Sequence, residues 1–128
     1  MRVSREKVAM AAKPAVLVID DDDDVRATLC VLLEQDGYQA SAAASGEEAL
    51  QQAGETRFDV VCCDLHLADG MDGYALAATL RSRLPEARFL ALTGDASARL
   101  GELTGPGFAA VLVKPIDYNA LLAAISSP

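Results

Sequence analysis

The 128 residues predict an α/β protein, a doubly wound five-stranded parallel sheet with helices on both faces. Three observations carry that prediction. Short apolar runs alternate with helical patterns five times along the chain. The runs AVLVI and FDVVCC are continuously apolar rather than alternating, the pattern of strands covered on both faces. With a helix after each strand, right-handed crossovers bring the strands parallel.

Each element has its own local reason. Ala15–Ile19 is bounded by Pro14 and by five consecutive aspartates, and reads as a buried strand. Val25, Leu29, Leu32 and Leu33 then recur at helical spacing, and Gly37 closes the helix. Residues 38–44 form a weaker strand, with Ser45-Gly46 turning into the helical stretch GEEALQQAG. Residues 58–63 are the clearest strand. The glycine-containing loop ADGMDG follows, and then a helix over 74–84. Residues 88–92 make a fourth strand ended by Thr93-Gly94. The segment 96–103 is a poor helix, interrupted by Gly101 and stopped by Gly105-Pro106-Gly107. Residues 109–113 give a fifth strand, and 117–125 a last helix capped by Asp117. Tyr74, Phe108 and Tyr118 are expected to pack against the sheet.

Charge narrows the function. The chain has 11 basic and 19 acidic residues, net −8, and its basic residues are unevenly spread. Arg2, Arg5, Lys7 and Lys13 face only Glu6 in residues 1–13, which read as a flexible basic extension before a single domain spanning 14–128. That domain carries 7 basic and 18 acidic residues. Such a surface repels phosphate backbones and anionic lipid, so neither direct nucleic-acid binding nor membrane binding is expected. There is no apolar run of membrane-spanning length, and Lys13-Pro14 breaks the only stretch resembling a leader. Cys30, Cys62 and Cys63 lack metal-type spacing and read as reduced, buried thiols of a cytoplasmic protein.

In a doubly wound sheet, ligands bind beyond the carboxyl ends of the strands. Asp20 and Asp21 follow the first strand, Asp64 the third, Thr93 the fourth and Lys114-Pro115 the fifth. Three carboxylates, a hydroxyl and an ammonium are thereby predicted to share one edge. Clustered carboxylates raise one another's pKa, and a hard divalent cation such as Mg²⁺, for which Mn²⁺ substitutes, relieves the repulsion. Thr93 and Lys114 supply the donor and the positive charge that phosphoryl oxygens need. The set suits phosphoryl transfer to a carboxylate nucleophile, with Asp64 on the central strand the natural candidate.

These segments resemble the receiver domain of two-component response regulators over roughly residues 14–126. VLVIDDDDDVRATL is similar to that family's first strand, acidic pair and first helix. YQASAAASGEEAL, FDVVCCDLHLADGMDGYAL, FLALTGDAS and GFAAVLVKPID follow in the family's order. The resemblance implies a flavodoxin-like strand order 2-1-3-4-5 and a phosphorylation-controlled switch rather than a metabolic enzyme. Asp64 would accept a phosphoryl group from a histidine kinase or a histidine phosphotransfer protein. Asp21 and Asp64 would ligate Mg²⁺ directly and Asp20 mainly through water, with the backbone carbonyl of His66 completing the set. Thr93 and Lys114 would bind the phosphoryl oxygens and shift, passing the signal to an output protein or attached domain.

Three departures stand out. The family's usual aromatic three residues before the lysine is Val111 here. The loop after Asp64 has Ala68 where a proline is usual, and it is one residue longer. The segment between the fourth and fifth strands is interrupted by glycine. GFAAVLVKPID is similar to receivers attached to hybrid histidine kinases. A haloacid-dehalogenase-type phosphohydrolase is the alternative, since Asp21 to Val25 fits its acidic signature. Against it, only Asp117 follows the lysine strand and Asp64 would have no role. A degenerate receiver acting as an unphosphorylated scaffold is a third reading. His66 is expected to face solvent near the site and to tune the access of water, Asp95 to lie at its rim, and Asp69 and Asp72 to serve turn and helix starts.

Overall fold

The computed structural model describes residues 13–67, 72–94 and 107–126. The elements run β1 (Ala15–Ile19), α1 (Asp23–Gln35), β2 (Gln39–Ala43), α2 (Gly46–Glu55), β3 (Val60–Asp64), α3 (Gly73–Arg83), β4 (Arg88–Thr93), β5 (Phe108–Val113) and α4 (Tyr118–Ser126). The strands form one parallel sheet in the order β2-β1-β3-β4-β5. The expected class, parallelism and strand order all hold.

Side-chain alternation divides the strands between two cores. Leu17, Ile19, Val61, Cys63, Phe89 and Ala91 point to one face and meet Ala49 of α2 and Leu76 and Leu80 of α3. Val16, Val18, Val60, Cys62, Leu90 and Leu92 point to the other and meet Leu29 and Leu33 of α1 and Leu121 and Ile125 of α4. Because both faces are covered, the inner strands β1, β3 and β4 show no polar alternation. Fully burying each large aliphatic side chain contributes about 1.5–3 kcal/mol, and this aliphatic core replaces the aromatics the chain lacks.

Register fixes what stands at the sheet's edge. Ile19 pairs with both Ala43 and Cys63, Asp64 with Leu92, and Thr93 with Val113. Asp64 and Thr93 are therefore the last residues of their strands rather than the first residues after them. The third strand also begins later than expected, at Val60. Asp59 is used instead to tie β1, its Oδ2 accepting from the Ala15 amide at 2.9 Å. A register shift between Phe89 and Leu90 leaves Ala109 as an extra residue of β5.

Helix ends explain themselves locally. Asp22 caps α1, accepting from the amides of Asp24 (2.9 Å) and Val25 (3.2 Å). Asp23 and Asp24 in its first turn meet the positive end of the helix dipole. Ser45 caps α2, and Asp72 caps α3 by accepting from the Tyr74 amide, as its helix-start assignment anticipated. Gly37 leaves α1 at φ 92, a left-handed conformation that suits glycine. Phe108 is buried, and the half-buried Tyr118 hydroxyl shares its one proton between the Leu32 carbonyl of α1 and the carboxylate of Asp36, which caps that helix. Tyr74 departs from expectation: it is exposed and meets the Phe108 ring edge-on at 6.3 Å. The expectations for residues 1–12, Ala68, Asp69, Asp95 and 96–103 lie outside the described residues.

Candidate functional site

The carboxyl ends of β1, β3, β4 and β5 finish level, and the expected residues meet there. Asp20, Asp64 and Thr93 are buried, at 0, 3 and 1% exposure. The β5 end is drawn in by the Lys114 amide, which donates to the Thr93 carbonyl at 2.7 Å. Lys114, joined to Pro115 by a cis peptide, sends its ammonium between two acids. Nζ lies 2.8 Å from Asp20 Oδ2 and donates to Asp64 Oδ2 at 3.1 Å. The other oxygen of Asp64 accepts from the His66 amide at 2.9 Å, and Asp20 Oδ1 accepts from the Asp22 amide at 2.9 Å. The loop thus folds its own N–H groups onto the carboxylates of the strands it leaves. The His66 side chain is exposed, as expected.

Asp20, Asp21 and Asp64 each offer a carboxylate oxygen, and these oxygens lie within 4.8 Å of one another. Asp20 Oδ2 is buried, and its contact with Lys114 is Coulombic, off the line of a hydrogen bond. Hard oxygen donors and a buried oxygen with an unfilled position fit an octahedral Mg²⁺ that keeps some of its waters. Electrostatics agree. Burial raises the pKa of Asp20, and the Lys114 ammonium and a hydrogen bond from the Asp22 amide offset that rise only in part; the Asp64 charge adds to it. For Lys114, burial acts downward, but its close contacts with the Asp20 and Asp64 carboxylates outweigh it and hold the ammonium charged above its usual range. One cation between several acids leaves the cluster anionic.

Two residues that the sequence reading did not single out complete the frame. Gly73, the first residue of α3, lies against the end of β3. A Cβ there would stand 2.5 Å from the Asp64 carbonyl oxygen and 2.5 Å from Leu65 Cα. A glycine directly after a capping aspartate, where helix propensity disfavours it, was the available signal. Arg26, a lone cation beside the five aspartates, donates from Nη1 to the Asp20 carbonyl at 2.7 Å.

The profile of the response regulator receiver domain matches residues 16–126. The chain belongs to the response regulator receiver family. The receiver is 35% identical over 111 residues to the transcriptional regulatory protein ZraR of Escherichia coli (strain K12), covering 86% of this chain and 25% of ZraR. It is 37% identical over 114 residues to the response regulator protein FleR of Pseudomonas aeruginosa, covering 88% of this chain and 24% of FleR. Against the transcriptional regulatory protein PrrA of Mycobacterium leprae, identity is 34% over 118 residues, covering 91% and 50%. The chain therefore spans a quarter to a half of these curated relatives. They are regulators by name, and the likeness to hybrid-kinase receivers finds no echo among them.

Solved structures agree. A response regulator protein from Burkholderia pseudomallei, determined with a phosphorylated aspartic acid, calcium ion and citrate, superposes with TM-score 0.82 at 36% identity, covering 90% of this chain and 68% of that one. The chemotaxis response regulator CheY4 of Vibrio cholerae gives TM-score 0.77 at 30% identity, covering 89% and 97%. This receiver is a phosphorylation-controlled signalling domain of two-component systems. The phosphohydrolase alternative finds no support: it belongs to another family and leaves Asp64 idle at the centre of the cluster. Among the described residues, no helix is long and apolar enough to cross a membrane.

Proposed function

We propose that Asp64 accepts a phosphoryl group from a phosphohistidine of a histidine kinase or phosphotransfer protein, and that residues 14–128 act as one cytoplasmic switching unit. The observation that carries this reading is the double engagement of the Asp64 carboxylate, with Lys114 on one oxygen and the His66 amide on the other. Both hold the nucleophile in one rotamer beside Asp20 and Asp21.

A carboxylate oxygen of Asp64 attacks phosphorus, the phosphorus–nitrogen bond to the donor imidazole breaks, and an acyl phosphate forms. Asp21, Asp64 and the His66 carbonyl, with Asp20 through water, would hold Mg²⁺, which when bound would supply positive charge to the transferring oxygens. Lys114 exchanges its carboxylate partner for a phosphoryl oxygen, and the Thr93 hydroxyl donates to another. Those two movements start the shift between conformational populations that an output partner reads. Val111 is half-buried against the core shared with α3, so the readout does not run through a rotating aromatic at that position.

The test is incubation with Mg²⁺ and acetyl phosphate, followed by intact-mass measurement. One phosphoryl group on the wild type and none on Asp64→Asn supports the reading. An adduct that survives in Asp64→Asn, or none on either protein, overturns it.

A further inference from the structure

Arg26 has no part in the scheme above, yet it is tied to the acidic loop more tightly than a surface arginine needs to be. Its side chain is only 17% exposed although it lies in the first turn of a helix flanked by exposed acids. Nη1 donates to the Asp20 carbonyl at 2.7 Å, and Nη2 is held by the Asp23 carboxylate. The Asp20 carbonyl belongs to the peptide unit that joins Asp20 to Asp21. Fixing that oxygen fixes the plane of the peptide, and with it the directions in which the two side chains leave the backbone. The Asp22 amide holds Asp20 from the other end through Oδ1. The carbonyl is thus gripped from the helix side and the carboxylate from the loop side.

We infer that Arg26 is a positioning residue for the cation site, setting the affinity of the Asp20, Asp21 and Asp64 cluster without touching the ion or the phosphoryl group. The inference rests on the proposed assignment of Mg²⁺ to that cluster. Its chemistry separates it from simple electrostatics. A positive charge beside a cation site weakens cation binding, so removing Arg26 on Coulombic grounds alone tightens it. Positioning has the opposite sign. Loss of a group that orients metal ligands typically costs about 10–100-fold in metal affinity. Arginine suits the role because its planar fork serves the carbonyl and Asp23 together; lysine reaches only one of them at a time.

The experiment is calorimetric titration of the full chain with Mg²⁺, for the wild type, Arg26→Ala, Arg26→Lys, Asp23→Asn and Asp21→Asn. Positioning predicts affinity at least about tenfold weaker in Arg26→Ala, with partial recovery in Arg26→Lys. Asp23→Asn, which leaves the Nη1 contact in place, should stay within about twofold of wild type, on the near-neutral scale of an exposed ion pair. The rate of modification by acetyl phosphate in Arg26→Ala should return to the wild-type rate at saturating Mg²⁺, a change in affinity rather than in the maximal rate. Equal or tighter Mg²⁺ binding in Arg26→Ala, with Asp21→Asn weakened, overturns the role of Arg26 and leaves the cation site standing. Wild-type affinity in Asp21→Asn overturns the site assignment itself. If Arg26→Ala does not fold, Arg26→Lys decides by the same comparison: weaker binding than wild type supports positioning, and unchanged or tighter binding refutes it.

Discussion

Gly73→Ala tests how closely the helix after Asp64 packs against the end of β3. The added methyl would stand 2.5 Å from the Asp64 carbonyl oxygen, 2.5 Å from Leu65 Cα and 2.9 Å from Leu65 C. Ordinary contact begins near 3.4 Å, so the start of α3 must retreat from β3 by close to an ångström. Every atom met is backbone, and no rotamer change relieves the clash. Overpacking of this kind costs about 1–3 kcal/mol. The opposing gain, a stiffer unfolded chain, is about 0.4–1 kcal/mol. The net expectation is a loss of about 1–2 kcal/mol, read as a lower urea midpoint by circular dichroism at an unchanged slope. Because the clash falls on Asp64, the proposed nucleophile, acetyl phosphate labelling should slow under conditions where the variant is still folded. A midpoint equal to or above wild type would refute the packing argument.

Three further predictions concern charge. Lys114→Met removes the cation lying 2.8 Å from Asp20 Oδ2; Mg²⁺ should bind about fivefold tighter, from roughly 1 kcal/mol of relieved competition, while phosphoryl transfer is lost. Weaker Mg²⁺ binding in a calorimetric titration would count against the assignment. Burial raises Asp20 above the ordinary carboxylate value of 3.8, so the folded state takes up a proton more readily than the unfolded one. That contribution to stability is complete below 3.8 and is lost as pH rises through the folded value. In metal-free denaturation across acid pH, the stability of Asp20→Asn relative to wild type should therefore improve as pH rises; a flat or falling difference contradicts it. Burial pushes Cys62 and Cys63 up to about 12, so at most Cys30 should react with a thiol reagent at mildly alkaline pH until the chain is unfolded. Two or three fast thiols in the native protein would contradict that burial.

Hydropathy made the strands legible because both faces of the sheet are covered, so every residue of β1 from Val16 to Ile19 had to be apolar. It could not set their ends. Asp64 and Thr93 continue the ladder through their main-chain groups while carrying polar side chains, and a reading of side-chain polarity stops one residue early. The polar set at this edge was legible because chemistry and topology agree: each polar residue stands at the end of an apolar run, and one lysine serves the whole edge. Asp22 could not be told from Asp23 or Asp24 as the cap of α1, since all three have the same side chain and only the backbone angles at the turn decide. Gly73 and Arg26 escaped for a different reason: each acts through backbone atoms of Asp64, Leu65 or Asp20, contacts that leave no periodic trace. Tyr74 was expected in the core on its aromatic character, but its position on α3 turns it outward.

The five aspartates after β1 and the single aspartate ending β3 offer rival sites for a phosphoryl group, and one measurement distinguishes them. After reaction with Mg²⁺ and acetyl phosphate, borohydride reduces an aspartyl phosphate to homoserine, and peptide sequencing locates it. Homoserine at position 64 alone is the predicted result. Homoserine at position 20 or 21, or none anywhere, would contradict the central claim that Asp64 is the nucleophile and its neighbours hold the cation.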